Sequence, residues 1–462
     1  MKLHLYNSYK REKESFEPIR DGYVGLYTCG PTVYDYAHIG NFRTFIFEDL
    51  LKRWLIHLGY DVKHIMNITD VDDKTIKKAN DESVALNIIT DRYTSCFMED
   101  LKWLKMIPAD EFPRATDYID KMISMIQTLL DKNFAYKDND GSVYFDINSF
   151  QEYGCLTNLN IKGQKQTKRI NDDEYEKDSP QDFALWKGWK KEDGDIVWNA
   201  PWGKGRPGWH IECSAMSIDA LGDHFDIHCG GIDNMFPHHE NEIAQSVCST
   251  GKPFVNYWLH SEFLLVDGGK MSKSIGNCYT IKDLIKKGFS AESIRYQLLS
   301  GHYRTKISFS INKKHESDKV VERVSDFHEL LSQKIKKISL DNSLPQIYSD
   351  FSNAMNDDLN TPQALALFFE WMKSESKKIK DNSLSSKEIS SAWNFLKIFN
   401  SIFDFVKIES LIIPDNIKDM LNKRKNARQE GDWILSDKIR DHLKTAGWIV
   451  DDTPEGQKLK KI

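Results

Sequence analysis

Apolar residues along this chain recur with two periods, and the switches between them mark its parts. The run Tyr23-Val24-Gly25-Leu26-Tyr27-Thr28-Cys29 reads as a buried strand that ends on a Gly30-Pro31 turn. It gives way to apolar positions at Phe47, Leu50, Leu51, Trp54, Leu55 and Leu58, which predict a helix. Strands return at Phe225 to His228 and at Tyr257 to Val266, after a stretch of Asp/Lys/Gly-rich loops that reads as an insertion. Strands alternating with helices predict an α/β, doubly wound parallel sheet, whose ligands bind beyond the carboxyl ends of the strands. Cys29, Thr69 and His228 fall at or near such ends. From about Lys313 the pattern becomes helical and charge-rich, with Asn360-Thr361-Pro362 as a start signal ahead of Ala364, Leu365, Leu367 and Phe368.

Composition narrows the class. A chain of 462 residues has room for several domains, and 40% hydrophobic with 29% charged residues is ordinary for a water-soluble protein. No stretch approaches eighteen apolar residues and the N-terminus has no continuous apolar core, so neither a membrane span nor secretion is expected. Seven cysteines, an odd number without framework spacing, point to a reducing, cytoplasmic setting, with Cys96, Cys155, Cys248 and Cys278 as plain core or surface thiols. A formal charge of -6 means that any nucleic acid must be held by local patches. The run Lys423-Arg424-Lys425-Asn426-Ala427-Arg428, with Trp433 and Trp448 as stacking surfaces, is one candidate; a solvated helix face with two structural tryptophans is the equal alternative.

Three constellations carry candidate chemistry. His38-Ile39-Gly40-Asn41 sits at the expected helix start, where unpaired N–H groups and the dipole favour phosphate, Gly40 permits close approach and His38 adds a donor. Lys270-Met271-Ser272-Lys273-Ser274 follows an Asp267-Gly268-Gly269 turn, so Lys270 and Lys273 lie on a loop suited to stabilising a leaving pyrophosphate. His238 and Glu242 are four apart in a segment that Pro237 could open as a helix, and Cys29 and Cys213 are the best-placed thiols to complete a tetrahedral metal site, zinc by ligand chemistry. On the residues alone, a helix cap, a solvated lysine loop and an exposed helical pair beside buried thiols account for the same positions.

Longer segments decide between these readings. Cys29-Gly30-Pro31-Thr32-Val33-Tyr34-Asp35, Asn67-Ile68-Thr69-Asp70-Val71-Asp72-Asp73-Lys74, Pro207-Gly208-Trp209-His210-Ile211-Glu212-Cys213-Ser214-Ala215-Met216 and Phe236-Pro237-His238-His239-Glu240-Asn241-Glu242 stand in one order, and with the two signatures they resemble the cysteinyl-tRNA synthetases of class I from end to end. The resemblance implies a Rossmann-like catalytic domain in two halves, 1–112 and 201–262, around a connective insertion at 113–200. A signature-loop region follows at 263–312, then a helical anticodon-binding bundle at 313–410 and a small tRNA-binding module at 411–462. It implies Zn2+ on Cys29, Cys213, His238 and Glu242, and cysteine contacts from Thr69 and Trp209. It implies ATP contacts from His38, Gly40, Asn41, His228, Gly230, Gly231, Asp233, Lys270 and Lys273, with Mg2+ accompanying the ATP. The bland alternatives are a core aromatic for Trp209 and a helix cap for Thr69.

The activity implied is formation of cysteinyl-adenylate from L-cysteine and ATP, then transfer to the terminal adenosine of cysteine tRNA, by a cytoplasmic monomer. Three departures are visible: Cys229 where many relatives have glycine, Asn41 for the second signature histidine, and a tail, Thr453 to Leu459, without a tryptophan many relatives carry. No residue stands out as general base for the transfer. Two other readings remain: a ligase passing activated cysteine to the amine of a sugar, which would lack the long helical region, and an RNA-binding paralogue, which would have lost a signature.

Overall fold

The structure is a computed structural model that describes residues 2–159, 169–170, 181–271, 276–336, 338, 340–406, 414–453 and 456–461. The chain divides into two compact units, Met1–Val406 and Lys407–Ile462.

At the centre of the first unit are four parallel strands, β1 (Tyr23–Thr28), β2 (Asp61–Met66), β3 (Phe225–Gly231) and β4 (Val255–Ser261), ordered β4-β3-β1-β2. Strand order reverses between β1 and β3, the place where a doubly wound sheet leaves a crevice for ligands. Both faces are covered, as parallel sheets require. Val24 and Leu26 of β1 pack on one side beneath helix α1 (Ile39–His57), while Tyr27 points to the other, toward α2 (Trp209–Leu221) and α3 (Glu240–Thr250).

Helix α1 is buried almost throughout, which is why its apolar spacing was readable. Leu58 is the exception to that reading: it is the C-cap and partly exposed, the helix having ended at His57. The predicted strand Tyr257 to Val266 is in fact two. β4 ends at Ser261, and Leu264–Val266 belongs to a separate small sheet, between Gly269–Lys270 and Ile307–Phe309. Hydrophobicity runs through the bend because both pieces are buried, so periodicity could not separate them.

The region after β2 adds an antiparallel sheet of Ala135–Lys137, Val143–Phe145, Asp182–Gly188, Gly203–Pro207 and Trp198–Ala200, which ends next to α2. Helices Lys314–Ile335, Ile347–Asn356, Thr361–Lys380 and Ser386–Phe403 then form a bundle around aromatic rings, with Phe368 stacked on Phe399 at 3.4 Å. The second unit pairs helices Asp415–Gln429 and Trp433–Thr445 with the hairpin Trp448–Thr453/Gly456–Lys461, over a core of Ile417, Ile439, Leu443, Trp448 and Val450. Pro454 and Glu455 of the expected tail motif lie outside the described residues.

Candidate active site

Helix α1 begins at the switch point. His38 is its N-cap: Asn41 N–H donates to His38 Nδ1 at 3.3 Å, and His38 N–H donates to Asn41 Oδ1 at 3.0 Å. With Nδ1 accepting, the neutral ring carries its proton on Nε2, so the cap and a donor are the same side chain. Asn41 thus spends its oxygen on the cap, and its amide NH2 is the part suited to an anion.

The two signatures meet. Ile39 N–H donates to Tyr279 O at 2.8 Å, His38 and Thr280 form a backbone bridge, and a Cβ on Gly40 would lie 2.0 Å from Met271 Cε. The Met271 side chain of the second signature thus lies directly over Gly40. Lys270 is placed by its backbone, opposite Leu265 in the small sheet; Ser272, Lys273 and Ser274 lie outside the described residues. Gly230 and Gly231 end β3 beside β1, and the turn holding Asp233 follows. Cys229 is fully buried against the α1 side of the sheet.

Beyond the end of β1 lies a cluster of buried donors. Cys29, Cys213, His238 and Glu242 bring one ligand atom each within 4.8 Å of one another, and Cys29 and Glu242 are shared with a second set containing His228 and His239. Glu242 is the hub: Oε1 lies 3.1 Å from His238 Nε2 and 3.9 Å from Cys29 Sγ, and Oε2 lies 2.9 Å from His228 Nε2. Pro237 does not open the helix as expected. The chain bends at Phe236, passes through a wide turn at Met235–His239, and starts α3 at Glu240, yet His238 and Glu242 still face each other.

Neighbouring groups hold the ligands. His238 Nδ1 lies 2.8 Å from His210 Nδ1, and the half-buried Trp209 ring sits 4.2 Å from the His238 ring, so Trp209 borders the cluster and is not a plain core aromatic. His239 Nδ1 lies 2.8 Å from His260 Nε2, whose other nitrogen is 2.8 Å from Ser8 Oγ, so that second set faces the protein interior. Thr69 caps no helix: its hydroxyl donates to Glu212 Oε2 at 2.9 Å and accepts from Asn67 Nδ2 at 3.1 Å. Asn67 also accepts from Gly30 N–H at 2.8 Å, and a Cβ on Gly30 would fall 1.7 Å from Asn67 O, so this turn requires glycine.

Electrostatics favours a cation here. Burial pushes the Cys29 thiol well above its usual range, with Cys213 adding to it, and burial also raises Cys213. Burial lowers His238 to about 3 and lifts Glu212 well above the carboxylate range. Two buried thiols and a buried imidazole disfavour their charged forms here until a divalent ion supplies the counter-charge. Mixed sulfur, nitrogen and oxygen donors fit a borderline transition metal better than a hard cation.

Sequence reasoning missed His210, His239, His260, Asn67 and Glu212. For His210, His239, Asn67 and Glu212 the only signal was a position inside the quoted segments; His260 gave none.

A doubly wound sheet with a histidine-capped helix starting at its switch point provides a crevice of the kind that binds nucleotides. Comparison with known proteins agrees. Residues 15–319 match the family described as tRNA synthetases class I (C) catalytic domain, and residues 350–407 match the DALR domain. The chain belongs to the class I (C) tRNA synthetase family. It is 46% identical to the cysteine–tRNA ligase of Protochlamydia amoebophila, over 99% of this chain and 98% of the relative, and 45% identical to that of Chlamydia abortus at the same coverage. Solved structures share the fold at low identity. A Mycobacterium tuberculosis methionyl-tRNA synthetase bound by methionyl-adenylate aligns with a TM-score of 0.60 and 13% identity, covering 88% of this chain and 95% of that one. A leucyl enzyme from Agrobacterium radiobacter K84 gives 0.62 and 10%, covering 84% and 85%. Among the described residues no helix is long and apolar enough to cross a membrane.

Proposed function

We propose that the protein is a cysteine–tRNA ligase, charging cysteine tRNA with L-cysteine at the expense of ATP in the cytoplasm, as a monomer. The observation that carries this is the convergence of Cys29, Cys213, His238 and Glu242 beside the helix that opens with His38. Full-length similarity to cysteine–tRNA ligases supports it.

In the first step the cysteine carboxylate attacks the α-phosphorus of ATP, the bond to the β-phosphate oxygen breaks, and pyrophosphate leaves. His38 Nε2–H and the Gly40 N–H at the start of α1 are donors for the phosphates, and Lys270 and Lys273 balance the charge growing on the leaving group. Gly230, Gly231 and Asp233 are assigned to the adenosine, with Mg2+ on the triphosphate. In the second step a hydroxyl of the terminal tRNA adenosine attacks the acyl carbon, and AMP departs. Zn2+ is assigned to Cys29, Cys213, His238 and Glu242; what it supplies when bound is a preference for thiolate over the harder, protonated hydroxyl of serine. Thr69 and Trp209 position the substrate beside it. Trp433, with the Arg428 guanidinium 5.2 Å from its ring centre, is assigned to RNA contacts of the C-terminal unit.

The test is cysteine-dependent exchange of labelled pyrophosphate into ATP, followed by transfer of labelled cysteine to tRNA. Exchange and charging with cysteine support the reading. No exchange by folded, zinc-loaded protein contradicts it.

A further inference from the structure

Asp358 is fully buried and lies in the turn that opens the third bundle helix, where both Asp358 (φ 59°) and Leu359 (φ 51°) are left-handed. Two consecutive non-glycine residues in that region are costly and persist only when their surroundings hold them. Here they are held on several sides. Asp358 Oδ1 accepts from Tyr6 N–H at 2.9 Å and from Tyr303 O–H at 2.5 Å, Oδ2 accepts from Arg304 Nε at 2.7 Å, and Asp358 N–H donates to His4 O at 2.9 Å. One carboxylate therefore joins the N-terminal hairpin of His4–Asn7 and Glu12–Ser15, the bundle and the segment 302–304.

That segment touches the helix that opens with the first signature and the chain leading to the second. The Tyr303 ring stacks on Phe47 of α1 at 4.2 Å and 8°, and Tyr303 O accepts from Glu262 N–H at 2.8 Å, just before the strand that pairs with Lys270. Arg43, one turn into α1, is buried and donates to the carbonyls of Leu298, His302 (2.7 Å) and Thr305 (3.4 Å). Burial lowers its guanidinium to about 10. Ile307–Phe309, directly after, is the strand beside Leu264–Val266. Contacts to Arg43 and Phe47 of α1 and to the residue before the strand that pairs with Lys270 thus converge on a segment anchored by one buried carboxylate.

We infer that Asp358 is a positioning residue for amino-acid activation, acting through Tyr303, Arg304 and Arg43 to set the signature helix and the Lys270 hairpin in register. It touches no substrate. The inference rests on the activation chemistry proposed above, and its test carries a readout that does not depend on that chemistry.

The experiment compares Asp358→Asn, Tyr303→Phe and, as a control for lost stability, Phe395→Leu in the bundle core. Displacing reacting groups by a fraction of an ångström lowers turnover more than binding, so D358N is expected to lose about tenfold to a hundredfold in exchange kcat while KM for cysteine stays within about twofold. Y303F keeps the ring stack and loses the hydroxyl, giving a smaller fall in the same sense. Independently of activity, amide hydrogen exchange in the first turns of α1, residues 39–43, is faster in D358N than in F395L. The inference is overturned if D358N loses no more kcat than F395L at matched melting temperature, or if α1 exchanges alike in both. Should D358N fail to fold, wild-type kcat in Y303F overturns it. If the wild-type protein shows no exchange activity, it is the functional reading that fails, and the α1 protection still decides the relay.

Discussion

The donor cluster around Glu242 and the C-terminal unit treat charge in opposite ways. In the cluster, thiols, imidazoles and carboxylates are sealed from water and press on one another, so the same side chains that weaken the metal-free fold make a selective site once a cation arrives. In the C-terminal unit the basic run is largely used up or left in water. Arg424 is buried in a two-pronged pair with Asp452, both contacts at 2.8 Å, Arg428 shares that carboxylate, and Trp448 is core, leaving Trp433 as the exposed ring. Buried polar chemistry is constrained to be functional or paired, whereas a surface charge run says little until its partners are known.

The largest expected effect breaks the cluster. Cys213→Ser should drop bound zinc well below one per chain and cut the preference for cysteine over serine, by about a thousandfold if direct metal contact supplies it. Metal analysis beside exchange rates with each amino acid reads both. A variant that keeps its selectivity without metal would end the argument for the cluster.

Second comes pH. In metal-free protein His64, His238 and His260 are each lowered from 6.5 to about 3 by burial, so they stay neutral when folded and take up protons when unfolded. Their contribution is present above about pH 6.5 and is lost as pH falls toward 3, a change on the order of several kcal/mol. Asp452 behaves differently: Arg424 lowers it below 3.8, so its smaller contribution persists until the pH falls below that value. Urea melts of the metal-free chain, with separate probes in each unit, should show the first unit weakening at higher pH than the second. Coincident loss would erase the contrast.

Within the C-terminal unit the tryptophans should separate. Trp448→Ala removes a core ring, at a cost of about 3–5 kcal/mol, and should expose that unit to proteolysis while pyrophosphate exchange continues. Trp433→Ala should leave both folding and exchange intact and raise KM for tRNA by about tenfold, the scale of one lost base stack. Equal behaviour of the two variants would show that exposure does not distinguish their roles.

Much of the parallel sheet was legible because its strands are buried on both faces and read as continuous apolar runs, and α1 because its helical spacing is equally clear. The break between Ser261 and Leu264 was hidden because the bend carries an apolar residue too, Phe263, which is exposed. Cys29 and Cys213 stand far apart in the chain, so no spacing rule joins them to His238 and Glu242; only longer matched segments did. The strand expected to end at His228 runs on to Gly231, so His228 lies within it, and its place beside Glu242 was unreadable because that contact depends on how α3 leaves its kink at Phe236. The fate of Arg424 was likewise unreadable, since its partner Asp452 comes from the hairpin folded back on its helix.

The central claim is that the cluster binds the substrate's sulfur directly. Cobalt(II) substituted for zinc would report this, because each thiolate ligand adds intensity to the sulfur-to-metal charge-transfer bands. The account predicts a further rise when L-cysteine is added and none with L-serine, with both the rise and the starting bands weakened in Cys213→Ser. A spectrum indifferent to saturating cysteine, in protein that still forms cysteinyl-adenylate, would contradict it.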